Sequence, residues 1–172
     1  MCHIYTKLNQ ISKWFAWIDS DLIFDTISWP DDTLKLLNGK YDIIQLFSHC
    51  NDLNKENETM NTYHSFCYNY FHNKKLYSPK QYSNRYSHPG FAWAMTRKCY
   101  EKIGALYEVS ILGSGDFNIA LTLLNKNSSH CKMTKEYKGS LNKFIYNAKN
   151  LRIGYCPTTI RHLFHWSKVN RG

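Results

Sequence analysis

Hydrophobic positions along this chain fall into short blocks separated by polar, often glycine-marked breaks. The first block, Trp14-Phe15-Ala16-Trp17-Ile18, is a continuous apolar run that stops at Asp19-Ser20-Asp21. A run of that kind predicts a buried β-strand with acids at its C-terminal end. Trp29-Pro30-Asp31-Asp32 then opens a helix, because proline fits the first turn and acids there complement the helix dipole. Leu34, Leu36 and Leu37 supply its apolar side, and Asn38-Gly39 ends it. Asp42 to Phe47 predicts the next strand. Strand, helix, strand is the signature of an α/β sheet.

Further along, residues 51–88 are polar and aromatic and predict long loops, with one or two short strands around Tyr63–Tyr70. His88-Pro89-Gly90 is a turn, Phe91 to Met95 a strand, and Arg97 to Ile103 a helix closed by Gly104. Ile111 to Asp116 is a glycine-flanked turn into a helix from Phe117 to Leu124. Residues 132–149 predict a helix with Leu141, Phe144 and Ile145 on one face. Ile153–Tyr155 and Thr159–Ile160 are final short strands. No repeat or linker interrupts the pattern, so residues 1–172 are expected to form one domain.

Composition changes this picture little. With 43% hydrophobic and 20% charged residues, the chain is not of the disordered class. No run of about eighteen apolar residues exists to span a membrane, and the first residues lack an apolar signal core. The localisation expected from that pattern is cytoplasmic. Lys and Arg outnumber Asp and Glu by 22 to 13, which favours anionic partners. The cations are scattered, however, and no nucleic-acid motif accompanies them, so no nucleic-acid partner is expected. Six cysteines at irregular spacing, with no CxxC, read as reduced thiols.

Four groups carry candidate chemistry. Asp19 and Asp21, at i and i+2 on a strand end, would point into one space, where like charges call for a cation. Oxygen donors favour Mg²⁺ or Mn²⁺. Gly113-Ser114-Gly115-Asp116 joins a tight turn to a helix start. There Asp116 is either an N-cap or a general base. His162-Leu163-Phe164-His165 offers two imidazoles as metal ligands or core groups, and Lys168 and Arg171 follow to suit a diphosphate. Trp14, Trp17 and Trp93 are expected in the core or in a pocket wall.

The order WFAWIDSDLIF, YDIIQLFSHC, HPGFAWAMTRKCYEKIGALYEVSILGSGDFNIAL and IGYCPTTIRHLFHWSKVNR resembles GT-A-fold glycosyltransferases. The likeness is nearest to those encoded by giant DNA viruses of the mimivirus type, and it covers residues 14 to 171. The scheme is also similar to animal β-1,4-galactosyltransferases. The resemblance implies a mixed sheet flanked by helices and a metal-dependent transfer from a nucleotide-diphosphate sugar to a glycan or other hydroxyl acceptor, with Mn²⁺ or Mg²⁺ as cofactor. Asp21 would bind the ion, and Asp19 the ion or the ribose. Asp116 would be the base of an inverting reaction. His165, or second His162, would be the late metal-binding histidine. Gly90, Phe91, Ala92 and Trp93 would line the acceptor and donor-sugar side, with Gly113, Ser114 and Gly115 beside them. A viral origin would place the protein in the host cytoplasm.

Two departures stand out. Trp166 follows His165 where viral relatives usually carry glycine. Only eighteen residues precede Asp19, whereas strand–helix units that bind a base need roughly thirty residues each. The chain is therefore expected to lack the first βαβ units of the fold and to need a missing N-terminal half. Alternatives are an inactive remnant or glycan-binding fragment, and a haloacid-dehalogenase-type phosphatase. The latter wants Thr or Val where Ile23 stands and leaves Gly113–Asp116 and His165 without a role.

Overall fold

The computed structural model describes residues 12–74, 87–104, 115–123 and 134–164. It is a mixed α/β arrangement of two sheets with flanking helices. The first sheet has the order β1 (Trp14–Ile18), β7 (Ala92–Thr96), β3 (Ile43–Gln45), β8 (Ile153–Tyr155). β7 runs antiparallel to both β1 and β3, and β3 runs parallel to β8. β1, β3 and β8 therefore point the same way, and their C-terminal ends share one edge. The second sheet has the order β2 (Leu22–Phe24), β9 (Thr159–His162), β4 (His49–Leu53), β5 (Thr59–Ser65), β6 (Ser87–His88).

Two neighbouring segments cross together from the first sheet to the second. β3 continues into β4 while β8 continues into β9, and both pairs are parallel. Cys156 N–H donates to Gln45 O at 2.8 Å, and Ser48 N–H donates to Thr158 O at 2.8 Å. The ladder is thus kept through the crossing. The acids at the end of β1 lie beside this junction.

Side-chain alternation divides the first sheet between two cores. Ile43, Trp93 and Met95 face α3 (Arg97–Ile103), α4 (Gly115–Leu123) and α5 (Lys135–Asn147), where Cys99, Ile103, Ala120, Leu141 and Phe144 pack against them. Ile44, Ala92 and Ala94 face the other way, onto Leu37 of α1 (Trp29–Leu37). Leu141 and Phe144 are buried as their spacing predicts, with Ile145 half-buried.

Local signals fix the helix ends. Thr96 caps α3 by accepting from Cys99 N–H, and Gly104 closes it in the left-handed region at φ 78°. α1 carries its proline in the first turn and ends at Asn38-Gly39. Four cysteines, Cys50, Cys67, Cys99 and Cys156, are buried free thiols. Burial pushes the Cys67 and Cys99 thiols up to about 12 and Cys156 to about 11, so they act as apolar core groups and not as nucleophiles. No helix among the described residues is long and apolar enough to cross a membrane.

Several expectations need correction. β1 is a strand but not a buried one: Phe15 is buried, Trp17 is half-buried against Trp93, and Trp14 and Ile18 are 37% and 38% exposed. The physical reason is its edge position, since only β7 pairs with it among the described residues. Trp14 is accordingly a surface residue and not core. β2 went unforeseen, because three residues after a turn are too few to show a period. The stretch 51–88, expected as long loops with short strands around Tyr63–Tyr70, holds a hairpin, β4 and β5, turned at Asn57 with φ 63°; Tyr63 to Ser65 are strand, but Phe66–Phe71 form a short helix α2 capped by Ser65. A polar two-sided hairpin hides the apolar alternation that marks strands.

An ion pair ties β3 to β8. Asp42 accepts from Arg152 N–H at 2.8 Å, Nε at 3.1 Å and Nη2 at 2.7 Å. The Arg152 hydrogen bonds hold the Asp42 carboxyl below its ordinary range. A depressed carboxylate stabilises the fold above its unfolded pKa and loses that contribution as pH falls through the folded one. Asp42→Asn is therefore expected to lower the melting temperature by a few degrees at neutral pH. The wild-type advantage should shrink below about pH 4, as read by melting curves across pH. An equal advantage at all pH values would contradict this.

Candidate functional site

Residues from four distant parts of the chain meet at the edge where β1 ends. Asp19 follows β1 directly, and its N–H donates to Phe91 O at 2.9 Å. Asp21 sits in the turn into β2. β2 pairs antiparallel with β9, which sets Leu22 opposite His162. Asp21 Oδ2 lies 3.2 Å from His162 Nε2, and Asp52 Oδ1 lies 2.7 Å from His162 Nδ1. The imidazole is thus held between two carboxylates.

The electrostatics follow from this crowding. Burial by itself would lower the His162 pKa, but the hydrogen bond to Asp52 and the charge of Asp21 outweigh it and raise it. The Asp19 carboxyl is raised, first by loss of water contact, then by the like charges of Asp21 and Asp116, with His162 opposing. Two carboxylates close enough to act on a third form a place where a cation is welcome.

Asp116 arrives from the first turn of α4, where the helix dipole favours a carboxylate. It lies over Gly90: a Cβ built on Gly90 would stand 2.5 Å from Asp116 Oδ2 and 3.3 Å from His88 Cε1. Glycine is therefore required for the close approach and not for its backbone angle. Phe91, next in the chain, is strained at φ 75°. Its ring stacks on His88 at 3.6 Å and tilts against His162 at 4.8 Å. Trp93 is buried behind the turn, with its indole N–H donating to Pro89 O at 2.8 Å. It supports the turn and does not line open space.

Gln45 fixes the turn from below. Its buried amide donates to His88 O at 2.8 Å and Gly90 O at 3.3 Å, and accepts from Cys67 N–H at 3.1 Å. A polar residue inside the apolar run Ile43–Phe47 is the signal that could have found it, since buried amides need partners. Asp52 was also missed, because its strand read as loop. Gln45→Leu would strand three polar groups, at a cost of about 3 kcal/mol. Chemical denaturation should show that loss together with a displaced Gly90 amide resonance; a wild-type midpoint would count against it.

The structure thus brings together Asp19, Asp21, Gly90, Phe91, Asp116 and His162. Gly115 opens α4 beside them. Gly113, Ser114, His165, Lys168 and Arg171 lie outside the described residues. Among the described residues, no group of three or more His, Cys, Asp and Glu is arranged to hold a metal ion. Asp21 Oδ2 and His162 Nε2 offer an oxygen and a nitrogen donor facing one another. A depression beside α1, lined by Lys13, Trp14, Asp31, Leu34, Lys35 and Asn38, is at the opposite end of β1 and takes no part. No family model, curated protein or solved structure matches the chain.

Proposed function

We propose that this chain carries the catalytic part of a metal-dependent glycosyltransferase, of GT-A-like fold, which moves a sugar from a nucleoside diphosphate to a hydroxyl acceptor. The observation that carries this reading is the meeting of Asp19, Asp21 and His162 with Asp116 over Gly90 at one sheet edge. The phosphatase alternative gives no role to Asp116 or His162.

The facing oxygen–nitrogen pair, Asp21 Oδ2 and His162 Nε2 at 3.2 Å, is of the donor chemistry that suits a divalent ion of the Mn²⁺ type. Asp21 Oδ2 and His162 Nε2 would hold it, with Asp19 nearby. Asp52 fixes the imidazole through Nδ1, the usual outer partner of a ligating histidine. The ion would supply positive charge to the diphosphate as it departs. Asp116 is the proton acceptor. The acceptor hydroxyl oxygen attacks the anomeric carbon, the bond from that carbon to the diphosphate oxygen breaks with its electron pair on the phosphate, and the hydroxyl proton passes to Asp116. A single displacement of this kind inverts the anomeric centre. Phe91, expected to line the sugar side, is buried with its ring packed against His88, His162 and Phe47, so it braces the edge from within.

The test is calorimetric titration of the full chain with UDP and GDP, each with and without Mn²⁺. Nucleotide binding that requires the metal is the expected result. Its absence for both nucleotides would favour a non-catalytic glycan-binding fragment.

A further inference from the structure

The second sheet has two faces, and the candidate site uses only one. Asp52 points to the side of His162, together with Cys50 and Tyr63. Alternation sends His49 and Asn51 to the other side. Across the hairpin, His64 pairs with His49 and Thr62 with Asn51, so all four share that back face. The Thr62 hydroxyl donates to Asn51 Oδ1 at 2.9 Å, which confirms the register.

α2 covers this back face and completes a cluster. The Tyr68 ring stacks with His64, at 5.0 Å, and with His72, at 4.1 Å. His49 lies 4.9 Å from the same ring and 4.8 Å from His64. Tyr155 meets Tyr68 edge-on at 5.4 Å, and Lys74 Nζ stands 4.8 Å from the Tyr68 centroid. Three imidazoles and an ammonium thus gather on one phenol ring.

What surrounds them is one-sided in charge. The charges that act on His49 are Lys74 and His72, and those that act on His64 are Lys74, His49 and His72. Burial first, and these cations second, hold both imidazoles below their ordinary pKa. From β8 the facing group is the Tyr155 phenol, raised by burial and by its tyrosine neighbours. Arg161, opposite Asn51 on β9, is already paired with Asp25. The hydrogen-bonding inventory is likewise incomplete. His49 uses Nδ1 with the Ser48 hydroxyl and His72 uses Nδ1 with Tyr68 O, which leaves their Nε2 atoms. Among the described residues, neither His64 ring nitrogen nor Lys74 Nζ has a hydrogen-bond or ion-pair partner. His72 and Lys74 are exposed, while His49 and His64 are half-buried, so the group is open to a ligand.

We propose that His49, His64, His72 and Lys74 form a second binding site, on the back of the second sheet, for a phosphoryl oxyanion. Imidazole and ammonium donors stand around the Tyr68 ring with no acid among the charges that act on His49 and His64, and charge-assisted donors of this kind suit a phosphate dianion. Each imidazole that takes a proton adds a donor and a charge, so binding strengthens as pH falls through the histidine range. The site is separate from the metal edge and stands whether or not the transferase reading holds.

Histidine-selective nitrogen NMR on the full, metal-free chain tests it, with inorganic phosphate and glucose 6-phosphate as probes at about pH 6 and about pH 8. Phosphate should shift the His64 and His72 ring signals and raise their titration midpoints. Affinity should drop at least about tenfold at the higher pH, in line with the loss of charge-assisted hydrogen bonds. Lys74→Gln, an exposed change that spares the fold, should weaken binding several-fold, whereas Asp21→Ala should leave it intact. Tighter binding of the phosphosugar would identify a sugar phosphate as ligand, and equal binding would identify the free ion. No shift at the lower pH, or an unchanged shift in Lys74→Gln, would overturn the proposal and leave the cluster a packing stack.

Discussion

Asp21→Ala is expected to remove Mn²⁺-dependent binding of UDP or GDP, with an affinity loss of about 100-fold or more. The change deletes one of the two facing donors, and His162 Nε2 alone is a poor site for a hard ion. It also removes a charge that holds the His162 pKa up, leaving Asp52 as the imidazole's anionic partner. The fold should survive, since the Asp21 side chain lies in a turn and remains 19% exposed. Asp25→Ala is the matched control. Asp25 lies on the same short stretch, pairs with Arg161 at the surface and faces no candidate ligand. Calorimetry of wild type and both variants, with circular dichroism to check folding, separates the outcomes. If Asp21→Ala bound metal and nucleotide as tightly as wild type, Asp21 would not be a ligand and the transferase reading would lose its centre.

Much of this edge was legible in the sequence because its signals are local. An apolar run that breaks at an acid, a proline followed by two acids, and a helical stretch closed by glycine each act within a few residues. They correctly mark β1, α1 and α3. Chemistry-bearing residues stood out for the same reason: Asp19 and Asp21 follow an apolar run, and Asp116 follows two glycines. What escaped depends on partners far along the chain. Asp52 matters only because β4 pairs with β9 and meets His162, over a hundred positions away. Gln45 matters because it bonds to the turn around Gly90, and the histidine cluster exists because α2 folds back on a hairpin whose polar pattern reads as loop. The exposure of Trp14 likewise follows from the sheet edge, which composition cannot reveal.

The same long-range dependence makes Gly90 a sensitive probe of Asp116. Gly90→Ala is expected to lower turnover about 100-fold while leaving Mn²⁺–nucleotide affinity near wild type. The added methyl would meet Asp116 Oδ2 at 2.5 Å and His88 at 3.3 Å, so the carboxylate must shift. Displacing a reacting group by about 1 Å costs on the order of 100-fold in rate. The backbone of Gly90 lies outside the left-handed region, so alanine brings the contact without conformational strain. Metal binding should be spared because the added methyl meets Asp116 and His88, whereas Asp21, in the turn into β2, and His162, on β9, are not among the atoms it touches. Asp116→Asn keeps the shape and removes the base, and should lose about 10²- to 10⁴-fold in turnover. A pair of variants that both lose turnover, with nucleotide affinity held, would mark Asp116 as the proton acceptor. Wild-type rates from Gly90→Ala, measured as sugar transfer from a panel of UDP- and GDP-sugars, would show that the position of the Asp116 carboxylate over Gly90 has no part in the chemistry.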